Sequence, residues 1–418
     1  MRTMKDSGLS WVGEIPSDWV AHPVYYYFGE RKNKNIFGQE DNLLSLSYGR
    51  VIRKDINTNG GLLPESFNTY NIVEAGDIII RPTDLQNDKK SLRTGLCLER
   101  GIITSAYIAL RPIRRLNSGF FRYLLHAYDI SKVFYNMGNG VRQGLNFSEF
   151  SRLTVFEPPI EIQDKVTQYL DTATAEVDKI ISDIQAQIDT LEQYKRSIIT
   201  ETVTKGLNLD AEMKDSGVFY MAPMNASWRL TKIGYICTKL SRSFVSEDTA
   251  LICSNKGKVQ IRADDLTGIM VSDDNAMQGI RAGDIAIHGM DTWHGAIALS
   301  EFDGKITRVV HVCDSTEDKR FIVYYMQHLA FQGVYKLISN GVRGNTSDFR
   351  SWDKVRDIWI AIPKTRQEQE AICDYLDRQC NAVEEVISTK KQQLEVLATY
   401  KKSLIFEYVT GKKEVPLS

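Results

Sequence analysis

The sequence predicts an α+β fold: two mixed α/β globules in tandem, each followed by a long helix, with the two helices pairing as an antiparallel coiled coil. Three observations predict it. The first is that the chain is written twice. MKDSG at 4–8 returns at 213–217, AGDIII from Ala75 returns as AGDIAI from Ala282, NGVR at 139–142 returns at 340–343, and YKRSIITETVT from Tyr194 returns as YKKSLIFEYVT from Tyr400. The order holds while the offset drifts between 201 and 209. Two copies of one unit imply two equivalent structures and a function that needs two of something.

The second observation is a single change of texture within each copy. Up to Pro159, apolar and β-branched runs at 43–48, 77–80 and 102–110 alternate with turn residues and read as strands. One helix interrupts them over 120–137. Its counterpart over 321–338 keeps an aromatic at three matched places: Phe120 with Phe321, Tyr123 with Tyr324, and Phe134 with Tyr335. This part of each unit is a mixed α/β globule.

The third observation is the heptad pattern that follows Pro159. Leu170, Val177, Ile184, Leu191 and Ile198 fall seven apart, and Val166, Ala173, Ile180 and Tyr194 make a companion seam three residues further along. The second copy repeats this with Leu376, Val383, Leu397 and Leu404 on one seam and Ile372, Val386 and Tyr400 on the other; Gln379, Lys390 and Gln393 break the stripe. A helix with such a stripe either serves as a long core element of its globule or finds a partner helix, and the other copy is tethered to it at high effective concentration. The first helix ends where the second globule begins, so the second helix has to run back. The pair is expected to be antiparallel.

Composition narrows the class. With 418 residues, 43% hydrophobic and 25% charged, the chain is long enough for two ordinary cores. No apolar run reaches the length of a membrane span, and the start MRTMKDSGLSWVGEIP lacks the apolar core of a signal peptide, so a cytoplasmic location is expected. Cys97, Cys237, Cys253, Cys313, Cys373 and Cys380 form no CxxC pair and do not repeat between copies, which argues against a disulfide framework or structural zinc. The net charge of -1 announces no nucleic-acid binder, so any DNA role rests on local patches or on a partner that shares the phosphate contacts.

The opening KDSGLSWVGEIPSDW, the segment SLSYGRVIRKD from Ser45, the run GDIIIRPTDLQNDKKSLRTGL from Gly76 and the heptad helix after each globule resemble the specificity subunit of a type I DNA restriction-modification enzyme, over nearly the whole chain. The resemblance implies a target recognition domain over 1–159, a spacer helix over 160–208, a second recognition domain over 209–363 and a second spacer helix over 364–418. Each recognition domain then reads one half of a bipartite DNA target, and the helices fix the gap. It also implies a chain with no catalytic site and no bound cofactor. The partners it implies are double-stranded DNA, two modification subunits that methylate adenine with S-adenosylmethionine, and restriction subunits that use ATP and Mg.

A search for catalytic motifs agrees with that absence. An adenine methyltransferase needs an N/D-P-P-Y/F loop to hold and stack the flipped base. The nearest string, EPPI from Glu157, lacks both the polar residue and the aromatic and reads as a helix start. No GxxxxGK[ST] loop is present. His288 and His294 flank Asp291, but His-x5-His is a poor ligand spacing and has no counterpart in the first copy, so loop histidines or DNA contacts are expected and no metal.

The candidate DNA contacts lie in loops. Arg50 and Lys54 match Lys258 and Arg262, and a preserved basic pair suits either phosphate contacts or a blunted strand edge. Arg142 and Arg343 of the NGVR turns suit either a phosphate or guanine clamp or a plain helix end. What differs between copies should carry the sequence code: Arg81, Gln86, Asn87, Lys89, Lys90 and Arg93 after GDIII in the first copy, against His288, Met290 and Trp293 in the second. Those stretches are either base-reading or, respectively, a solvated charged loop and a buried Trp. Two other classes remain at this point: a coiled-coil scaffold holding two protein-binding modules, and an enzyme with its own catalysis.

Overall fold

The computed structural model describes residues 2–56, 66–83, 85, 92–135, 137, 144–208, 210–262, 274–339 and 348–416. The chain divides into two compact units, Met1–Ile184 with Gln392–Ser418, and Gln185–Lys391. Each combines a mixed helix/strand globule with part of two long helices, Ile160–Lys205 and Arg366–Val409.

In the first unit the centre is a four-stranded antiparallel sheet in the order Phe28–Glu30, Ile108–Pro112, Ile78–Ile80, Thr94–Leu96. In the second it is Cys237–Lys239, Val310–Ser315, Ile285–His288, Ile297–Leu299, the same order. The repeated motifs make the repeated turns. In MKDSG, Asp6 accepts from the Gly8 amide and Asp215 from the Gly217 amide, both at 3.0 Å, and Lys5 and Lys214 each donate to the carbonyl of a tryptophan, Trp19 and Trp228. Those two indoles are buried edge-on against Phe120 and Phe321. In AGD, the glycines take positive φ, +91° at Gly76 and +85° at Gly283, and the buried Asp77 and Asp284 hold the turn amides of Glu74 and Arg281 while pairing with Arg31 and Arg242.

The expected strand over 102–110 is two strands, Gly101–Ile103 and Ile108–Pro112, separated by a turn in which the Tyr107 amide donates to Thr104. The expected helix over 120–137 is shorter, Ser118–Ile130, because Lys132 adopts a left-handed φ of 57° that no helix continues through. Its counterpart breaks at the matching place: Lys319–Phe331 is followed by Gly333 at φ 71° and a separate turn of helix, Val334–Ile338. The prolines at 158–159 do begin a helix. Gln163, buried, donates back to the Pro158 carbonyl at 2.8 Å, and Gln369 does the same to Pro363 at 3.1 Å.

Each core is closed by both long helices. Val166 and Leu170 join Leu404, Ile405, Tyr408 and Val409 in the first unit, and Ile199 and Val203 join Ile372, Cys373, Leu376 and Cys380 in the second. Within the first unit Tyr169 meets Tyr408, with ring centroids 4.6 Å apart, and Asp178 meets Lys401 at 2.5 Å; within the second Gln187 meets Lys390 at 2.6 Å and Glu384 meets Lys195. One number rises as its partner falls, so in each unit the two helix segments run antiparallel.

The expected first seam is buried or half-buried throughout, at Leu170, Val177, Ile184, Leu191, Ile198, Leu376, Val383, Leu397 and Leu404. The companion seam differs from expectation. Val166 and Ile372 are buried at the helix starts, but Ile180, Tyr194, Val386 and Tyr400 are exposed, at 47, 53, 45 and 53%. The inner companion positions lie four residues past the first seam: Thr174, Ile181, Ile188, Lys195 and Thr202, and Cys380, Ile387, Leu394, Lys401 and Tyr408. Counting apolar residues picks the wrong stripe because the inner one carries threonines, of which Thr174 bonds the Tyr123 hydroxyl, and lysines neutralised by Glu384 and Asp178. All six cysteines are buried and unpaired, and no helix among the described residues is long and apolar enough to cross a membrane.

Candidate nucleic-acid interface

The hairpin that follows the first sheet edge, Leu44–Ser47 with Arg50–Arg53, and its counterpart, Leu251–Ser254 with Lys258–Ile261, carry the paired basic residues. The structure separates the members of each pair. Arg50 donates to Asp178 at 2.7 Å and Lys258 to Glu384 at 2.6 Å, and the same two carboxylates accept from Lys401 and Lys195 of the other long helix. Arg50 and Lys258 therefore fasten a hairpin to the helix pair while their side chains stay largely exposed. Lys54 is exposed and Arg262 half-exposed, and neither side chain has an ion-pair partner among the described residues. Their amides close the hairpins on the carbonyls of Leu43 and Ala250.

This clamp has a pH dependence. Burial pushes the Glu384 carboxyl up, but hydrogen bonds from Lys195 and Lys258 outweigh it and hold the group below its ordinary value of 4.5. A depressed carboxylate stabilises the folded state fully above the ordinary value and ceases to as the pH falls through the lowered one. Glu384→Gln is expected to cost the second unit roughly 0.5–1 kcal/mol at pH 7, the scale of a partly exposed ion pair, and nothing at a pH well below 4.5. Urea unfolding of both proteins at the two pH values checks this; an equal difference at both contradicts it.

Of the base-reading candidates in the first unit, Arg81 is exposed with a side chain free of partners among the described residues, its amide fixed to the Arg93 carbonyl at 2.9 Å. Arg93 itself is buried. It is only 4% exposed, its amide donates to Asp129 and its guanidinium to the carbonyls of Arg81 and Thr83, so it holds up the loop that carries Arg81. The sequence misleads here because a buried Arg satisfied by backbone carbonyls has no local signature. Gln86, Asn87, Lys89, Lys90, Arg142 and Arg343 lie outside the described residues.

In the second unit the loop after Ile285–His288 is built on packing. His288 accepts the Asp291 amide on Nδ1 at 3.1 Å and is half-buried; burial lowers its pKa against the pull of Asp291 and favours the neutral form, so it is no phosphate cation at neutral pH. Trp293 lies against the core with Lys336 over its ring. The ring is half-buried, so part of it stays exposed. Met290 is half-exposed, and its sulfur accepts from Arg350 at 3.0 Å. Arg350, which carries no local sequence signal, is exposed. No group of three or more His, Cys, Asp or Glu able to hold a metal occurs among the described residues.

Compared with solved structures, the chain is similar over 96% of its length to a chain from work on complex assembly and conformational transition of the type I R-M system, with TM-score 0.68, 13% identity and 99% of that chain covered. It is also similar to the HsdS subunit from Thermoanaerobacter tengcongensis, with TM-score 0.45, 13% identity and coverage of 96% and 98%, and to the type I restriction-modification S subunit from M. genitalium, with TM-score 0.40, 14% identity and coverage of 93% and 96%. No family model matches the sequence. No curated protein matches it. The chain thus has the fold of the first of these structures.

Proposed function

We propose that this chain is the sequence-specific DNA-binding subunit of a type I restriction-modification complex. Each globule reads one half of an asymmetric bipartite target, and the paired helices fix the gap. The observation that carries the reading is a duplicated globule, each copy closed on both long helices, in the fold of a type I R-M chain. Divergence supports the asymmetry: the loop after the matched strand presents Arg81 in one copy and Met290 in the other. Methyl transfer and cleavage belong to partners, two modification subunits using S-adenosylmethionine and restriction subunits using ATP and Mg; no residue of this chain is assigned to either reaction.

The recruitment of two equal partners is supported by the exposed stripe. Ile180, Gln187, Tyr194 and Glu201 match Val386, Gln393, Tyr400 and Glu407 at a constant offset of 206, seven residues apart within each helix, and all are exposed but Glu407, which is half-buried and pairs with Lys413. A heptad stripe that recurs on the outer face of both helices suits a partner helix at two equivalent places. The double variant Ile180→Glu, Val386→Glu alters only exposed positions, so it is expected to keep the fold and to lose at least tenfold in affinity for the modification subunit. Unchanged co-purification contradicts recruitment through this face.

A gel-shift experiment with the reconstituted methyltransferase complex separates the readings. Specific retardation of duplexes containing one bipartite sequence supports the proposal. Protein partners without any DNA shift support the scaffold reading, and robust S-adenosylmethionine-dependent methylation by this chain alone contradicts the assignment of catalysis to partners.

A further inference from the structure

The two units can be aligned residue by residue where the loop after the central strand meets the segment that leads into the last strand. In the first unit the Leu145 amide donates to Pro82, two residues past Ile78–Ile80; in the second the Phe349 amide donates to Gly289, directly past Ile285–His288. Pro82 and Gly289 stand at the same offset as Ile80 and Ile287, so Leu145 and Phe349 are equivalent. The next landmark is a helix cap. Asn146 accepts from the Glu149 amide to cap Phe147–Phe150, and Ser351 accepts from the Asp353 amide to cap Trp352–Arg356. Between the anchor and the cap the first unit has no residue, and the second has one. That residue is Arg350.

Arg350 is an addition of the second copy, and it follows directly on Phe349, whose backbone is held at both its amide and its carbonyl. Gly289 donates to the Val309 carbonyl and accepts from the Phe349 amide, and the His311 ring nitrogen Nε2 lies 2.7 Å from the Phe349 carbonyl. Gly289 has no room for a side chain: a Cβ there would lie 2.8 Å from the Phe349 carbonyl oxygen and 3.0 Å from Arg350 Cα. On this fixed base the guanidinium is exposed, touches Met290 through Nη2, and has no carboxylate partner among the described residues. Such an Arg differs from Arg50 and Lys258, whose charges are spent on the helices.

We propose that Arg350 is a specificity-determining residue that reads a guanine in the half-site of the second unit. A planar fork on a rigid base suits bidentate recognition of guanine O6 and N7, which demands fixed geometry, whereas phosphate contacts tolerate a mobile cation. A residue present in one copy only belongs to what distinguishes the half-sites, not to the contacts both share. The inference rests on the DNA-reading function proposed above.

The test is selection from a pool of randomised duplexes by the full chain assembled with its modification subunits, for the wild type, Arg350→Lys and Arg350→Ala. One G·C position in one half-site is expected to lose its preference, of roughly 5- to 150-fold, in both variants, with every other position and the gap retained. Unchanged preferences in both variants overturn the inference. So does a uniform loss of binding in Arg350→Ala that Arg350→Lys restores, since this marks a phosphate contact. If the wild-type complex enriches no sequence at all, the DNA-reading function falls and takes this inference with it, an outcome distinct from the other two.

Discussion

Asp284→Ala is expected to lower the melting temperature of the second unit by about 6–12 °C. Asp284 is buried, pairs with Arg242 through both oxygens at 2.6 and 2.8 Å, and accepts the Arg281 amide at 2.9 Å. Removing one member of a buried pair leaves the other charge uncompensated at a cost of about 3–5 kcal/mol, and Arg242 keeps some access to water, so the low end of about 3 kcal/mol applies. For a unit of about two hundred residues each kcal/mol moves the transition by about 2–4 °C. Calorimetry together with amide exchange in Cys237–Lys239, Ile285–His288 and Val310–Ser315 checks it. An unchanged melting temperature would mean that Gly283, at φ +85°, sets the turn without the carboxylate.

Lengthening the helices is expected to lengthen the gap in the DNA target. An insertion near 202–205 alone is a poor test, since the Lys205 carbonyl accepts from Asn225 and Val203 sits in the second core. Four residues placed after Ile184 and four after Lys391 leave both cores intact and add about 6 Å to each helix. At about 3.4 Å per base pair the preferred gap should grow by one or two base pairs. Four residues also turn a helix about 40° right-handedly, in the sense in which DNA twists, and both helices take the same local stutter. Mapping the methylated sites of the variant complex decides: an unchanged gap places the ruler in the modification subunits.

The duplication and the helix starts were legible because they are local signals: a repeated string is self-evident, and a proline pair before a heptad marks an entry. What was not legible depends on partners far away in sequence. The carboxylates that occupy Arg50 and Lys258 lie 128 and 126 residues further on. Arg93 looks like its charged neighbours until its backbone acceptors at Arg81 and Thr83 are in place. The inner stripe is hidden because periodicity gives the spacing of a seam and not its phase; Ile180 and Tyr194 outscore Thr174 and Lys195 on hydrophobicity, yet the latter face inward. Arg350 was missed for the opposite reason. It shows only once hydrogen bonds fix the alignment of Leu145 with Phe349.

The central claim is that the two globules read two independent halves of one target, and a domain exchange tests it most directly. The exchange has to keep Val20–Pro23 with its partner strand Thr154–Glu157, so residues 17–157 are replaced as a block by those of a relative with a different target. The complex with modification subunits is then used to map methylated sites. The account predicts that one half-site changes to that of the donor while the other half-site and the gap stay as they were. A change in both halves, or in neither, would contradict it.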